Sequence, residues 1–183
     1  MAFENAFECD SVSAFGGIIA MNRNCDLATA KKITLFFNEV VIAPGYDADA
    51  LEELKKKKNL RVMEMEISKN VAGVDYRQID GGMLAQERDI QQSGCAFELK
   101  AGQGAGKKER NDLLFAWKVA KNVKSNAIVI AKGMATVGIG GGLPSRVDST
   151  ELAVKKAGKK AKGASLASDA FFPFKDSIDA ATR

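Results

Sequence analysis

Apolar positions in this chain fall into short runs separated by segments of helical period. Gly17 to Met21 is an apolar run approached through Phe15-Gly16-Gly17, and it predicts a buried strand. Asp26 stands where a helix N-cap belongs, and Ala28, Ala30, Ile33 and Phe37 recur at helical spacing behind it. Glu39 to Ala43 is again strand-like and ends at Pro44-Gly45. Asp47 caps a second predicted helix through Leu51 and Leu54, which runs into Lys55 to Lys58. Leu60 to Met65 predicts a third strand, with Arg61 and Glu64 outward. Strands alternating with helices in this way argue for an α/β fold, a mainly parallel sheet covered by helices.

Before and after that succession the pattern is less regular. Ala2 to Glu8 suits a helical end as well as a fraying tail. Gly81 to Gln86 predicts one more strand, approached through its glycines. Gln91 to Lys108 is rich in Gly, Gln and Lys without a period, and it reads as the linker between a first lobe, residues 1–105, and a second, residues 106–183. Leu113, Ala116, Trp117, Ala120 and Val123 mark one face of a helix. Asn126 to Ala131 and Ala135 to Ile139 predict two strands joined at Lys132-Gly133 as a hairpin. A helix opening at Pro144-Ser145 is expected to continue to about Lys162, where Gly163 breaks it. Ala164 to Ala167 predicts a strand, Asp169 to Asp176 a loop holding Phe171-Phe172-Pro173-Phe174, and Asp176 to Ala181 a last helix. Helix, hairpin, helix, strand, helix is a short inventory, and the second lobe reads as cut short.

The chemistry of the second lobe concentrates at Lys121 to Arg146. Gly140, Gly141 and Gly142 follow a strand and precede a helix start at Ser145. Glycines let a backbone approach a ligand, a helix start presents unpaired N–H groups, and the dipole there favours negative charge. Arg146 adds a full charge and a forked donor set. Together they describe a seat for an anion, a phosphate first of all. The spacing is neither that of a Walker loop nor that of a dinucleotide fingerprint, and glycines between strand and helix also serve simply to turn the chain.

Composition narrows the chemistry. The 183 residues include no histidine, which removes the commonest general base and metal ligand. Cys9, Cys25 and Cys95 lack Cys-x-x-Cys spacing, so no zinc site is expected, and three free thiols suit a reducing cytoplasm. The first residues, with Glu4, Glu8 and Asp10, do not read as a secretory signal. No stretch nears the roughly 20 apolar residues of a membrane span. Net charge is +4, mild for this length, so the lysine runs decide whether nucleic acid is a partner. Lys55 to Lys58, and Lys155, Lys156, Lys159, Lys160 and Lys162, fall at helix C-terminal turns, where cations offset the dipole, and no aromatic residues interleave with them for base stacking. A solvated face is the expectation, with no nucleic acid and no membrane as partner.

Five blocks in order carry a resemblance: Ala6 to Gly17, Glu39 to Pro44, Gly81 to Gln86, Lys121 to Arg146, and Ala167 to Phe174. They resemble the transformylase part of the AICAR transformylase/IMP cyclohydrolase family, over nearly the whole chain and most weakly at 90 to 110. The resemblance implies two cytidine deaminase-like three-layer lobes without a metal, the second truncated, and a homodimer. It also implies formyl transfer from 10-formyltetrahydrofolate, the co-substrate, to the 5-amino group of aminoimidazole carboxamide ribonucleotide. By matched position, Gly16 and Glu39 would contact the nucleotide and Asn126 would orient the reacting groups. Arg146 would hold the nucleotide, Phe171 would line its pocket, and Val147 and Asp176 would meet the folate. Three of them have a plainer reading: Glu39 begins a strand, Asn126 caps the preceding helix, and Phe171, with Phe172 and Phe174, belongs to a group of which at least one is core.

The departures are as informative. The family's Lys-His pair would lie upstream of the Phe-Gly-Gly block, ahead of Met1. The usual Lys-His-Val-Lys-Ser-Asn stands here with Asn122 in place of histidine, and the glycine loop lacks the family's glutamine. Positioned acid–base help contributes roughly 10²- to 10⁴-fold, so weak binding and poor turnover are expected of this chain. The alternative readings are a catalytically silent nucleotide-binding or interaction domain and, third, a basic nucleic-acid binder.

Overall fold

A computed structural model describes residues 2–67, 73–90 and 97–182. Cys95, and the 91–96 part of the expected linker, lie outside the described residues. The chain divides into two compact units: residues 1–17, 35–38 and 101–183 form one, and residues 18–34 and 39–100 the other.

The first unit is three layers deep. Helix α4 (Lys107–Ala120) leads into strand β6 (Ile128–Ala131), which pairs antiparallel with both β7 (Thr136–Gly140) and β8 (Ser165–Ser168). The sheet order is β7-β6-β8, antiparallel throughout, with the β6–β7 hairpin as expected; the mainly parallel sheet was expected of the earlier strand–helix succession, residues 17–65. A four-residue turn, Lys132 to Ala135, returns the chain directly, and a parallel neighbour would have required a crossover instead. Every residue of β6 is buried because both faces are covered. Val129 and Ala131 pack with Ala116, Ala120 and Ala167 on the α4 side. Ile128 and Ile130 pack with Val137, Ala153 and Ala157 on the other, which belongs to helix α5 (Arg146–Ala157). Asp112 of α4 accepts from the amides of Gly133 and Met134 (2.9 and 2.7 Å) and so caps the hairpin turn.

Helix α5 ends at Ala157, short of Lys162. Gly158, the C-cap, adopts φ 51° and ψ −132°, a positive-φ backbone that glycine takes without strain, and a 3-10 turn over Gly158–Ala161 follows. Helix α6 (Asp176–Thr182) closes the unit.

The amino-terminal residues join this unit rather than the first lobe of the sequence reading. Helix α1 (Ala2–Cys9) is followed by Asp10, whose carboxylate receives Lys156 Nζ at 2.6 Å, while Glu8 receives Lys160 Nζ at 2.9 Å. Phe36 packs tilted against Phe7 with centroids 4.1 Å apart, and Phe37 against Phe15 at 5.1 Å, which brings 35–38 along. Contacts at sequence separations above 140 leave no periodic trace.

The second unit holds most of β1 (Gly17–Ala20) and β2 (Asn38–Ala43), with β3 (Arg61–Glu64), in the order β1-β2-β3, and β2 and β3 run parallel as expected. β1 is not the buried strand the sequence predicts: Ile18 is 68% exposed, since an apolar run does not reveal whether both faces are covered. Helices α2 (Leu27–Ile33) and α3 (Ala48–Lys55) pack on one another and bury Ala30, Ile33, Ala50 and Leu54. Asp26 caps α2 by accepting from Thr29 N at 2.7 Å; Asp47 occupies the cap of α3 without a side-chain bond. Lys55 and Lys56 pair with Glu52 and Glu53 one turn back, in keeping with a solvated face. Burial pushes the Cys25 thiol up to about 11, and Asp26 and Asp47 add to it, so the group stays protonated. Strands β4 (Val74–Ile79) and β5 (Gly82–Glu87) form a separate antiparallel hairpin. No helix among the described residues is long and apolar enough to cross a membrane.

The Asp10–Lys156 pair generates a pH prediction. The hydrogen bond from Lys156, then the Ser13 amide, hold the Asp10 carboxyl down at about 2, against an ordinary value near ~3.9 in the unfolded chain. A depressed folded pKa stabilises above the unfolded value and is lost as pH falls through the folded one. Both side chains remain reached by water, 26% and 34% exposed, so screening limits the contribution to about 1 kcal/mol. The urea midpoint of the native chain should therefore fall between pH 4 and 2, and Asp10→Asn should lose that part of the acid dependence while unfolding at a lower midpoint at pH 7.

Candidate functional site

An open hollow of about 400 Å³ lies in the first unit, at the amino-terminal end of α5. Arg146 and Val147 line it from the helix start, Asn126 from the approach to β6, and Phe171, Phe174 and Asp176 from the segment after β8. Its size and its mix of apolar wall with a few polar groups suit a small organic ligand. Five residues assigned by resemblance thus converge here: Asn126, Arg146, Val147, Phe171 and Asp176, together with Ser145 of the anion seat.

Arg146 is held rather than loose. Nη1 donates to Asp169 Oδ1 (2.5 Å) and Ser168 Oγ (2.7 Å), and Nη2 donates to Asn126 Oδ1 (2.9 Å). Nε–H and one Nη2 hydrogen have no partner among the described residues, so two donors remain for an anion. Burial alone would raise the Asp169 carboxyl, but hydrogen bonds from Ser125, Arg146 and the Ala127 amide outweigh it and hold the group below the ordinary carboxylate range.

The helix start contributes as well. Ser145 is the N-cap, and its Oγ accepts from Asp148 N at 3.1 Å. The amides of Arg146 and Val147, first in the helix, have no described partner and stand at the positive end of a 12-residue helix.

Asn126 does not cap the preceding helix. Its Nδ2 donates to Leu143 O (3.0 Å) and Pro144 O (2.9 Å), which fastens the loop before α5 to the start of β6. With Oδ1 engaged by Arg146, its whole amide is occupied. Asn122, where the family has histidine, is exposed and donates to Lys118 O at 3.0 Å.

The three glycines do not line the hollow. A Cβ on Gly140 would meet Ser149 O at 1.9 Å and one on Gly138 would meet Ala153 O at 2.1 Å, so β7 lies directly against the backbone of α5. A Cβ on Gly141 would meet Val123 Cγ1 at 2.3 Å, and the Gly142 amide is taken by Lys124 O at 2.7 Å. Their shortness is a packing requirement, and the free donors sit further on, at Ser145 to Val147.

Phe171 (81% exposed) and Phe174 (72%) face solvent beside the hollow, while Phe172 packs against the core on the α5 side, which fulfils the plainer reading for one of the three. Gly16, in the same unit, is not among the lining residues; its amide donates to Phe37 O at 3.0 Å. Glu39 belongs to the second unit and is exposed at the start of β2. Asp176 Oδ1 accepts from Ser177 N at 2.6 Å, and Oδ2 has no partner among the described residues. Among the described residues no three His, Cys, Asp or Glu side chains gather as metal ligands. Asp169, Ser168 and Ser125 were not singled out by sequence reasoning; the one signal was an aspartate just beyond a strand end, within a quoted block.

In this α/β unit a helix start, a pinned arginine and an aromatic rim surround one hollow, whose size and donors suit a small anionic molecule. Residues 1–156 match the family described as AICARFT/IMPCHase bienzyme, and the chain belongs to that family. It is 52% identical over 189 residues to the bifunctional purine biosynthesis protein PurH of Persephonella marina. It is 49% identical over 183 residues to that of a Thermoanaerobacter species, and 45% over 184 to that of Oceanobacillus iheyensis. Each comparison covers all of this chain and 36% of the relative, so the chain spans about a third of the length of these curated relatives.

The glycine geometry can be tested directly. Gly140→Ala should destabilise the chain by about 3 kcal/mol, because overpacking against helix backbone has nowhere to relax. Gly104→Ala, with open space around it, should leave the unfolding midpoint unchanged. Equal midpoints for the two variants in guanidinium unfolding would refute the close packing of β7 on α5.

Proposed function

We propose that this chain serves purine biosynthesis as part of a formyltransferase, contributing part of the site that binds aminoimidazole carboxamide ribonucleotide and a formyl folate. The single observation that carries this reading is the convergence of Arg146, Asn126, Val147, Phe171 and Asp176 on one hollow. Five of the seven positions that the resemblance assigns thus line one hollow although they span 50 positions of sequence.

In the proposed reaction the exocyclic amine of the nucleotide attacks the formyl carbon of 10-formyltetrahydrofolate. A C–N bond forms, the bond from that carbon to N10 breaks, and the amine proton passes to N10. The α5 amides and Arg146 would receive the nucleotide phosphate, the flat rings would lie against Phe171 and Phe174, and Asp176 Oδ2 would accept from the pterin. Without histidine the chain has no ordinary group titrating near neutrality to carry the proton, so slow turnover is expected of it alone. The reading brings with it cytidine deaminase-like lobes and a homodimer, in which a second copy would complete what one hollow leaves open.

A catalytically silent nucleotide-binding domain is the second reading. Its support is Asn126, whose amide is fully engaged before any ligand arrives.

Calorimetry and a single-turnover assay separate these. The ribonucleotide should bind the chain at least about tenfold more tightly than its nucleoside, and Arg146→Ala should abolish that difference, since a charge-assisted hydrogen bond is worth roughly 1.5–3 kcal/mol. Formyl transfer in single turnover, slow but above the uncatalysed background, supports the enzyme; tight nucleotide binding with none supports the silent domain. Equal affinity for nucleotide and nucleoside would remove both.

A further inference from the structure

Asp169 makes four hydrogen bonds beside the hollow and is not among the residues that line it. Its Oδ1 accepts from Arg146 Nη1 at 2.5 Å and from Ala127 N at 3.1 Å, and Oδ2 accepts from Ser125 Oγ. Its own amide donates to Ala127 O at 3.2 Å. One carboxylate therefore ties the end of β8 to the approach to β6 and to the first residue of α5. Asn126 lies between these anchors and shares Arg146 through Oδ1. The Arg146 and Asp169 side chains are only 12% and 17% exposed, so this contact is less screened than a surface pair.

We propose that Asp169 is a positioning residue for nucleotide binding: with Ser125 behind it, it fixes the Arg146 guanidinium at the hollow so that the remaining donors meet the phosphate already in place. This rests on the reading given under Proposed function. A free arginine side chain has several rotamers to lose on meeting an anion, and a pinned one has already lost them. The arrangement trades field for geometry, because the Asp169 charge also opposes a phosphate.

That opposition gives the test its sign. If Asp169 acts only as a counter-charge, Asp169→Asn should strengthen nucleotide binding. If it positions Arg146, Asp169→Asn should weaken nucleotide affinity by about tenfold and leave the affinity for the nucleoside unchanged. Asp169→Glu, which keeps the charge, should recover most of the loss, and Ser125→Ala, which removes one anchor from behind, should give a smaller loss in a chain whose carboxylate is intact. Unchanged or improved nucleotide binding in Asp169→Asn, or equal losses for nucleotide and nucleoside, would overturn the proposal. If Asp169→Asn does not fold, Ser125→Ala decides by the same comparison.

A ligand-free readout separates this from failure of the functional reading. In nitrogen-15 NMR the Arg146 Nη hydrogens should give separate, slowly exchanging signals in the native chain and averaged ones in Asp169→Asn. A native chain that binds neither ligand ends the nucleotide reading and with it the role in nucleotide binding, whatever the NMR gives. Averaged Arg146 signals in the native chain end the positioning role even if the nucleotide binds.

Discussion

The carboxylate of Asp169 is the point on which the first unit depends. Three segments far apart in sequence meet there: the approach to β6 at Ser125 to Ala127, the start of α5 at Arg146, and the end of β8. Strand β6 is buried on both faces, so the position of its first residues is already determined by packing on α4 and α5. The charged contacts extend that determination outward to the hollow. Leaving either partner of a sheltered ion pair without the other costs several kcal/mol, so the pair fixes geometry more firmly than its net stabilisation implies.

Small residues complete the arrangement. Gly138 and Gly140 let the backbone of β7 lie against Ala153 and Ser149 of α5, and Ala157 follows one turn on. A helix seated this closely has little freedom to slide or tilt, because protein interiors are packed as densely as organic crystals. The amides at its amino terminus are therefore aimed by core packing two turns away. The Ser149 hydroxyl, fully buried, donates to Asn126 O at 2.8 Å and joins the helix to the same junction.

Much of this was legible in the sequence, and the failures have specific causes. The three-layer second lobe follows from apolar runs at Ile128 to Ala131 and Val137 to Ile139 and from the helical period around Ala116. The cap at Asp26 and the helix start at Ser145 were both visible because capping is local. Helix α5 was drawn too long because a glycine followed by two lysines does not announce its φ. Strand β4 was missed although Asp80-Gly81 before Gly82 is a strong hairpin signal, since Val74 to Ile79 carries too few apolar residues to read as a strand. The docking of α1 and the whole Asp169 network depend on pairs 23 to 152 residues apart, which no periodicity encodes. The anion seat was read as Gly140 to Gly142 together with the helix start at Ser145 and Arg146, whereas the unpaired donors lie at Arg146 and Val147 alone: a glycine that avoids a clash and a glycine that admits a ligand look the same in a sequence.

The β4–β5 hairpin leads elsewhere. All twelve of its residues are exposed, with Val74, Tyr76 and Met83 on one face and Ile79 and Leu84 on the other. In most sheets a buried face forbids register slippage, because moving by one residue would turn the apolar set outward. Here neither face imposes that penalty. The alignment of Tyr76 with Ala85 is left to the two-residue turn at Asp80-Gly81, where Gly81 takes φ 77°. A single left-handed glycine thus decides which side chains this ribbon presents on each of its sides.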